Sequence, residues 1–239
     1  MQYMGGKTRL AKRIAATIAS HRGDRCTYLE PFLGGASVAA VVCPLFERSI
    51  LSDSQPDIAL LWDAVVHGWE PPAELSREEY GSLRHADPSP LRAFAGFGCS
   101  FGGKWFGGYA ACNRGDNYPQ QAHNSIKRKA RGLIGAEVRR ADYSALDDEV
   151  TVDCVVYCDP PYIDTTSYST GVFDHAEFWR TAERWALRGA LVLVSEYRAP
   201  AGWVPVWEVD LSMPLAKDGN AMRSRERLYT HLDTALEWD

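Results

Sequence analysis

The chain has 239 residues, of which 46% are hydrophobic, and a formal net charge of −5, which suits one large α/β domain or one domain with an insertion. No apolar run approaches the ~20 residues that span a bilayer, and the first residues lack the charged and then apolar leader of a signal peptide. The six cysteines form no CxxC pair, so the sequence predicts reduced thiols in the cytoplasm and no metal site.

The first predicted element is a glycine turn, Gly5 to Thr8, that leads into an amphipathic helix. Leu10, Ile14 and Ile18 recur at fourfold spacing, which places them on one helix face. The Gly-Gly-Lys-Thr string is not a phosphate loop, because the upstream glycine and the preceding strand of that motif are missing. The flexible backbone and Lys7 could approach a ligand here, and a plain turn into a helix is the alternative.

Two strand units follow, and together they are typical of a nucleotide-binding α/β fold. The first strand, Thr27 to Glu30, leads into a glycine turn at Gly34, where the backbone can approach a ligand closely. The second, Ser49 to Asp53, ends in an acid 19 positions after Gly34. An acid at about that distance can accept from both hydroxyls of a ribose. The alternative is that Asp53 caps the next predicted helix, Pro56 to Val66.

The alternation of strands and helices stops over residues 68–131, and we predict an insertion there, between the parts 1–67 and 132–239 of the α/β domain. Residues 94–109 alternate glycines with aromatics, and amide and basic side chains follow. Such groups suit DNA, since they read base edges, wedge between bases and hold phosphates. The alternative is a subdomain whose aromatics form its own core. The candidate DNA contacts are Lys104, Trp105, Asn113, Arg114, Lys127, Arg128 and Lys129.

A third short strand is predicted over Glu137 to Tyr143, and it ends in an acid and an aromatic. Asp142 could accept hydrogen bonds from the amino group of an adenine, and the ring of Tyr143 could lie against its face. With Gly34 and Asp53, this pair predicts a pocket for an adenosine-containing cofactor.

A buried strand over Val152 to Cys158 then ends abruptly in Asp159-Pro160-Pro161-Tyr162. Each proline forces the residue before it into an extended conformation, so these residues form a rigid ledge. In an open α/β sheet, ligands bind at this end of the strands. The Asp159 carboxylate and the Pro160 carbonyl could accept from a planar amine that stacks on Tyr162. The alternative is a structural turn in which Asp159 caps a neighbouring segment.

The last predicted elements complete the sheet. A helix comes first, and three strands follow it, with an antiparallel edge. These elements are the helix His175 to Leu187 and the strands Ala190 to Ser195, Val204 to Val209 and Leu228 to Leu232.

Taken in order, these motifs resemble the Dam-type (D12 class) N6-adenine DNA methyltransferases. The matching stretches are Tyr3 to Lys7, Leu29 to Gly35, Asp53, Asp142-Tyr143, Asp159 to Tyr162 and Val194 to Tyr197. The resemblance implies a Rossmann-like methyltransferase sheet with an inserted target-recognition subdomain. It also implies a pocket for S-adenosylmethionine formed by Tyr3, Lys7, Glu30, Phe32, Gly34, Asp53, Asp142, Tyr143 and Asp159. The chain departs from the family pattern at Ala36, where a second glycine is common, and at Tyr3, where a tryptophan is common.

The resemblance implies a reaction as well. Asp159, Pro160 and Tyr162 would hold a flipped-out adenine of duplex DNA while its amine receives the methyl group of S-adenosylmethionine. The product of the cofactor would be S-adenosylhomocysteine. Cytosine-N4 methylation is an alternative, because the same ledge serves any exocyclic amine, and a non-catalytic DNA-binding protein on this scaffold is another. We expect a monomer without a metal ion, in the cytoplasm of a bacterium or of a phage-infected host.

Overall fold

The computed structural model describes residues 1–110, 117–162, 173–212 and 223–235. Seven strands are found in these ranges: β1 (Thr27–Glu30), β2 (Arg48–Asp53), β3 (Glu137–Arg140), β4 (Cys154–Cys158), β5 (Leu191–Glu196), β6 (Trp203–Ser212) and β7 (Arg223–His231). They form one sheet in the order β3-β2-β1-β4-β5-β7-β6, in which β7 runs antiparallel to both of its neighbours and the other pairs are parallel. The predicted fold class, a mostly parallel sheet with antiparallel pairing at one edge, is therefore confirmed.

Helices connect these strands. The α-helices in the described ranges are α1 (Ala11–His21), α2 (Ala39–Val42), α3 (Pro56–Val66), α4 (Arg77–Leu83), α5 (Pro90–Ala93), α6 (Tyr118–Ala130), α7 (His175–Leu187) and α8 (Leu232–Ala235). The helices of other types are the π-helix Phe94–Gly98 and the 3-10 helices Cys43–Leu45, Phe101–Gly103 and Tyr143–Glu149. No helix among the described residues is long and apolar enough to cross a membrane.

The central strands are buried on both faces of the sheet. All residues of β4 are buried. Successive residues of the strand belong alternately to two hydrophobic clusters, as Val155 and Val156 show. A parallel strand that is covered on both faces needs such a continuous apolar run. The run that the sequence predicts over residues 152–158 is therefore a central strand from Cys154 onward, and Val152, which is 64% exposed, lies outside it.

The strand order reverses between β1 and β4, which lie side by side in the sheet. β2 and β3 extend the sheet away from β1, while β5, β7 and β6 extend it in the other direction. At such a switch point the loops that follow the two strands separate and leave a crevice at the carboxyl end. The loop after β1 and the ledge after β4 are therefore the two walls of one site.

The aromatics of residues 94–109 belong mainly to the core. Phe94, Phe97 and Phe106 are buried in the same hydrophobic cluster as Ile14 of α1. These rings therefore do not form a separate core, as the alternative required. Phe101 differs, since 62% of its surface is exposed. The extent of the insertion, residues 68–131, stays a prediction.

Several element boundaries differ from those expected. β6 is longer than predicted, and β7 begins at Arg223 and not at Leu228. The first helix begins at Ala11, after turns at residues 4–5 and 8–10. The third strand ends at Arg140, and a 3-10 helix begins at Tyr143. In this helix the Asp142 side chain is the N-cap and accepts from the Ser144 amide. The acid and the aromatic of this motif therefore follow the strand and do not end it.

Candidate active site

A cleft of about 1480 Å³ opens at the carboxyl ends of β1 and β4. Its walls come from the start of the chain, the loop after β1, the ledge after β4 and the segment before β3. The site candidates that line it are Tyr3, Lys7, Glu30, Phe32, Gly34, Asp53, Lys104, Trp105, Arg128, Asp142, Asp159, Pro160 and Tyr162. The fold thus brings the predicted cofactor residues other than Tyr143, and part of the predicted DNA contacts, into one cavity.

The Asp159 carboxylate lies on the cleft wall and pairs with Lys7. The Lys7 Nζ lies 2.7 Å from Asp159 Oδ1, and only 8% of the Lys7 surface is exposed. Burial raises the pKa of Asp159 above its usual value, and the Lys7 charge opposes that rise. Lys7 therefore stabilises the ionised carboxylate, the form that accepts two hydrogen bonds.

The ring of Tyr162 contacts Tyr197 and Lys7, and its hydroxyl is hydrogen-bonded. Its centroid lies 4.7 Å from that of Tyr197, with the planes at 85°. The Lys7 Nζ lies 4.5 Å from the centroid of Tyr162, and the Tyr162 hydroxyl donates to Glu226 Oε1. Tyr197 lies in one of the stretches that resemble the D12 class, but nothing local in the sequence marks Glu226 as a site residue.

The glycine loop after β1 is fixed by its own geometry. Gly34 has a φ of 44°, a region that disfavours side chains, and a Cβ there would lie 2.8 Å from a ring carbon of Tyr3. The Gly34 carbonyl accepts from the Trp62 indole at 2.8 Å. Ala36 also has a positive φ, 49°, so the loop keeps its glycine-like turn despite the departure from the family pattern.

Asp53 holds this loop in place. Its Oδ2 accepts from the Gly34 amide at 2.8 Å and its Oδ1 from the Gln55 amide at 2.9 Å. Burial raises the pKa of Asp53 to about 6, although these hydrogen bonds oppose the rise. The helix cap is Gln55, which accepts from the Ile58 amide, so the capping alternative for Asp53 is wrong. A ribose contact by Asp53 stays a prediction.

The other cofactor candidates lie at two depths. Glu30 is 2% exposed and accepts from the Tyr28 hydroxyl at 2.6 Å, and burial raises its pKa to about 8. The Tyr143 ring is buried and stacks on Phe32, with centroids 5.6 Å apart. Asp142 lines the cleft, so the pair is divided, with the carboxyl in the wall and the Tyr143 ring behind Phe32.

The DNA-contact candidates fall into different environments. Lys104 and Arg128 are exposed and line the cleft, whereas Lys127 is exposed and pairs with Glu70 at 3.1 Å. Trp105 lines the cleft, half-buried, and its ring lies 4.6 Å from that of Phe97. Two further candidates, Asn113 and Arg114, lie outside the described residues.

Lys129 is a correction to the predicted DNA contacts. It is 8% exposed, and its ammonium donates to the Gly35 carbonyl and to Ser37 Oγ. Burial lowers the pKa of Lys129 to about 8. Consecutive helical residues point about 100° apart, so Lys129 faces inward while Arg128 faces the cleft. Lys129 thus supports the glycine loop and is not placed to bind a phosphate.

Comparisons with known proteins show what this chain is similar to. Residues 3–81 match the model of the D12 class N6 adenine-specific DNA methyltransferases. A DNA adenine methylase of Vibrio cholerae serotype O1 is 28% identical over 235 residues, covering 82% of this chain and 80% of that protein. The type II methyltransferase M.CviBI of Paramecium bursaria Chlorella virus NC1A is 37% identical over 68 residues, or 28% of this chain and 25% of that one. A solved structure of a hypothetical protein from Thermus thermophilus superposes with a TM-score of 0.41 at 12% identity, covering 95% of this chain and 87% of that one.

Proposed function

We propose that this chain, a relative of the D12 class of N6 adenine-specific DNA methyltransferases, transfers a methyl group from S-adenosylmethionine to the exocyclic amine of an adenine in duplex DNA. The observation that carries the proposal is the position of the Asp159 ledge. It shares one cleft with the glycine loop after β1, and Lys7 holds its carboxylate at 2.7 Å. The proposal places the protein, as a monomer, in the cytoplasm of a bacterium or of a phage-infected host.

The residues of the cleft fit S-adenosylmethionine. The Gly34 turn is tight enough that a Cβ would meet the Tyr3 ring, which keeps side chains away from this part of the wall. The acids Glu30, Asp53 and Asp142 line the same cavity, together with the apolar ring of Phe32. Carboxyl groups suit the hydroxyl, amino and sulfonium groups of this cofactor, and an aromatic ring suits its adenine.

The ledge suits the chemistry of an exocyclic amine. Such an amine is a poor nucleophile, because its lone pair delocalises into the ring. The Asp159 carboxylate and the Pro160 carbonyl can accept its two N–H bonds, which favours a tetrahedral nitrogen with a directed lone pair. S-adenosylmethionine, when bound, supplies a methyl group on a sulfonium. The N–C bond would form as the C–S bond of the sulfonium breaks, S-adenosylhomocysteine would be the leaving group, and the methylated amine would release one proton to the solvent. Alignment is the main contribution of the protein.

The target base has to leave the duplex before it can reach the ledge. Flipping costs a few kcal/mol, which DNA contacts must offset. Lys104 and Arg128 are exposed at the cleft, which supports the proposal that they hold phosphates there. Tyr162 lies beside Asp159 in the cleft, and we propose that the flipped base stacks on its ring.

Arg128 and Lys129 give a matched pair for testing the DNA surface. We expect Arg128→Ala to weaken DNA binding and to lower the slope of log affinity against log salt by about 1, because one phosphate contact is lost. Lys129→Met should leave that slope unchanged and weaken S-adenosylmethionine binding, because it removes the support of the glycine loop. Fluorescence anisotropy with labelled DNA over a salt series measures the slope for both variants, and calorimetry measures their affinity for S-adenosylmethionine. If Lys129→Met lowered the slope as much as Arg128→Ala does, Lys129 would be a phosphate contact and this expectation would be wrong.

Two alternatives to adenine methylation remain: cytosine-N4 methylation and a non-catalytic DNA-binding protein. Cytosine-N4 methylation would use the same ledge, but the family match and the Vibrio cholerae relative favour adenine. Incubation of duplex DNA with the protein and S-adenosylmethionine, followed by mass spectrometry of the nucleosides, separates the readings. We expect N6-methyldeoxyadenosine. N4-methyldeoxycytidine would support the first alternative, and DNA binding without cofactor binding in calorimetry would support a non-catalytic protein.

A further inference from the structure

Glu226 is a buried carboxylate that the reaction proposed above does not yet use. It lies on β7, it is 2% exposed, and it lines the cleft. Burying a charged group is costly unless partners compensate for the lost water. Both described partners of Glu226 belong to the candidate active site: the Tyr162 hydroxyl donates to its Oε1, and the Lys7 Nζ lies 3.6 Å from the same atom.

Tyr162 depends on β7 in a second way, through Tyr197. The rings of Tyr162 and Tyr197 pack perpendicular to each other, as described above. The Tyr197 carbonyl in turn accepts from Arg227 Nη1 at 2.7 Å and from the Tyr229 hydroxyl at 3.2 Å. Three residues of β7 thus hold Tyr162 and Tyr197 in position: Glu226, Arg227 and Tyr229. β7 is hydrogen-bonded to a strand on each side, so it is a rigid support for such a contact, in contrast to a loop.

Lys7 connects Glu226 with the ledge. Its ammonium lies 2.7 Å from Asp159 Oδ1 and 3.6 Å from Glu226 Oε1, so one cation is shared by two carboxylates. The same ammonium lies over one face of the Tyr162 ring, 4.5 Å from its centroid. A base that stacks on Tyr162 therefore lies on the face opposite Lys7. There the plane of the ring sets the position of the base relative to Asp159.

We infer that Glu226 is a positioning residue for methyl transfer. By accepting a hydrogen bond from the Tyr162 hydroxyl, it fixes the plane of the ring on which the flipped base stacks. This inference rests on the proposed function. Glu226 also balances the Lys7 charge while the Asp159 carboxylate is engaged by the amine. Without this anchor the Tyr162 ring is oriented less firmly, and the amine is positioned less accurately at the ledge.

Three variants separate this role from a structural one. We expect Glu226→Ala and Tyr162→Phe each to lower kcat on the order of 10- to 100-fold, because a misplacement of about 1 Å costs up to that much. Glu226→Gln keeps an acceptor for the hydroxyl and should recover most of the lost rate. The affinity for S-adenosylmethionine, measured by calorimetry, should stay within about twofold, since a positioning residue acts on kcat.

The double variant and a matched control complete the test. Tyr162→Phe with Glu226→Ala should be no slower than Glu226→Ala alone, because both remove one hydrogen bond. Tyr109→Phe removes a hydroxyl that donates to the Leu75 carbonyl at 2.6 Å, outside the cleft, and should keep the wild-type kcat. Should Glu226→Ala fail to fold, Tyr162→Phe and Glu226→Gln still decide.

Two outcomes would overturn the inference: a Tyr162→Phe variant with wild-type kcat, or losses in Tyr162→Phe and Glu226→Ala that multiply in the double variant. These outcomes leave the proposed function intact, because the wild-type protein still methylates DNA in the same assay. A wild-type protein that transfers no methyl group to DNA would instead reject the proposed function, and with it the reaction for which Glu226 positions Tyr162.

Discussion

Asp159→Ala is expected to abolish methyl transfer and to leave the protein folded. The substitution removes the charged acceptor of the target amine and leaves only the Pro160 carbonyl. Deleting a single preorganised hydrogen-bonding group from an active site costs on the order of 10²- to 10³-fold in rate, and the loss of a charged acceptor should lie at the upper end. The fold should persist because Lys7 keeps Glu226 at 3.6 Å as a counter-charge. Methyl incorporation into DNA measures the rate, and calorimetry measures the retained cofactor binding.

An exposed carboxylate provides the control for this variant. Asp148 precedes β4 and is exposed, so Asp148→Ala removes an equal charge away from the cleft and should keep the wild-type rate. Asp159→Asn should also be strongly impaired, since its amide oxygen still accepts but carries no charge, and neutral hydrogen bonds are weaker than charge-assisted ones. Full activity in Asp159→Ala would contradict the mechanism proposed for the ledge.

Gly132→Ala is expected to destabilise the protein by about 3 kcal/mol, since side chains forced into a packed site typically cost 1–3 kcal/mol or occasionally more. A Cβ at Gly132 would lie 1.8 Å from the Ala40 carbonyl oxygen, a backbone atom of α2. The backbone therefore has to shift where the segment after α6 packs on α2. For a chain of this size each kcal/mol lowers Tm by about 2–4 °C, so calorimetry should show a decrease of about 6–12 °C.

Gly81→Ala is the matched control, with the same chemical change in open space. Gly81 lies within α4, and a Cβ there would meet nothing within 4 Å. Alanine is favoured over glycine inside a helix by about 0.5–1 kcal/mol, so this variant should be slightly more stable than the wild type. Equal melting temperatures for Gly132→Ala and the wild type would show that α2 and the segment after α6 do not pack as closely as described.

The features that the sequence predicts well are those set by local chemistry. The two prolines after Asp159 end β4 wherever that strand lies, and the glycines near Gly34 permit the turn after β1. The strand order then places both at the carboxyl edge of a parallel sheet, where a cleft forms. For this reason most of the predicted cofactor residues line one cavity.

The features that the sequence does not predict depend on tertiary packing. Lys129 is one of three consecutive basic residues, and nothing local shows that its side chain points into the protein. Glu226 lies nearly seventy positions after the ledge, in a strand rich in arginine, and meets Tyr162 only because β7 pairs with β5. Asp53 matches a ribose-binding pattern, yet its hydrogen bonds in this structure fix the backbone of the Gly34 loop and the turn before α3.

The most direct test of the proposed function is single-molecule sequencing of DNA from cells that express the wild-type protein or Asp159→Ala. The proposal predicts N6-methyladenine at one recurring sequence context in the wild-type cells and its absence in the cells with the variant. N4-methylcytosine in the wild-type cells, or unmodified DNA in both, would contradict it.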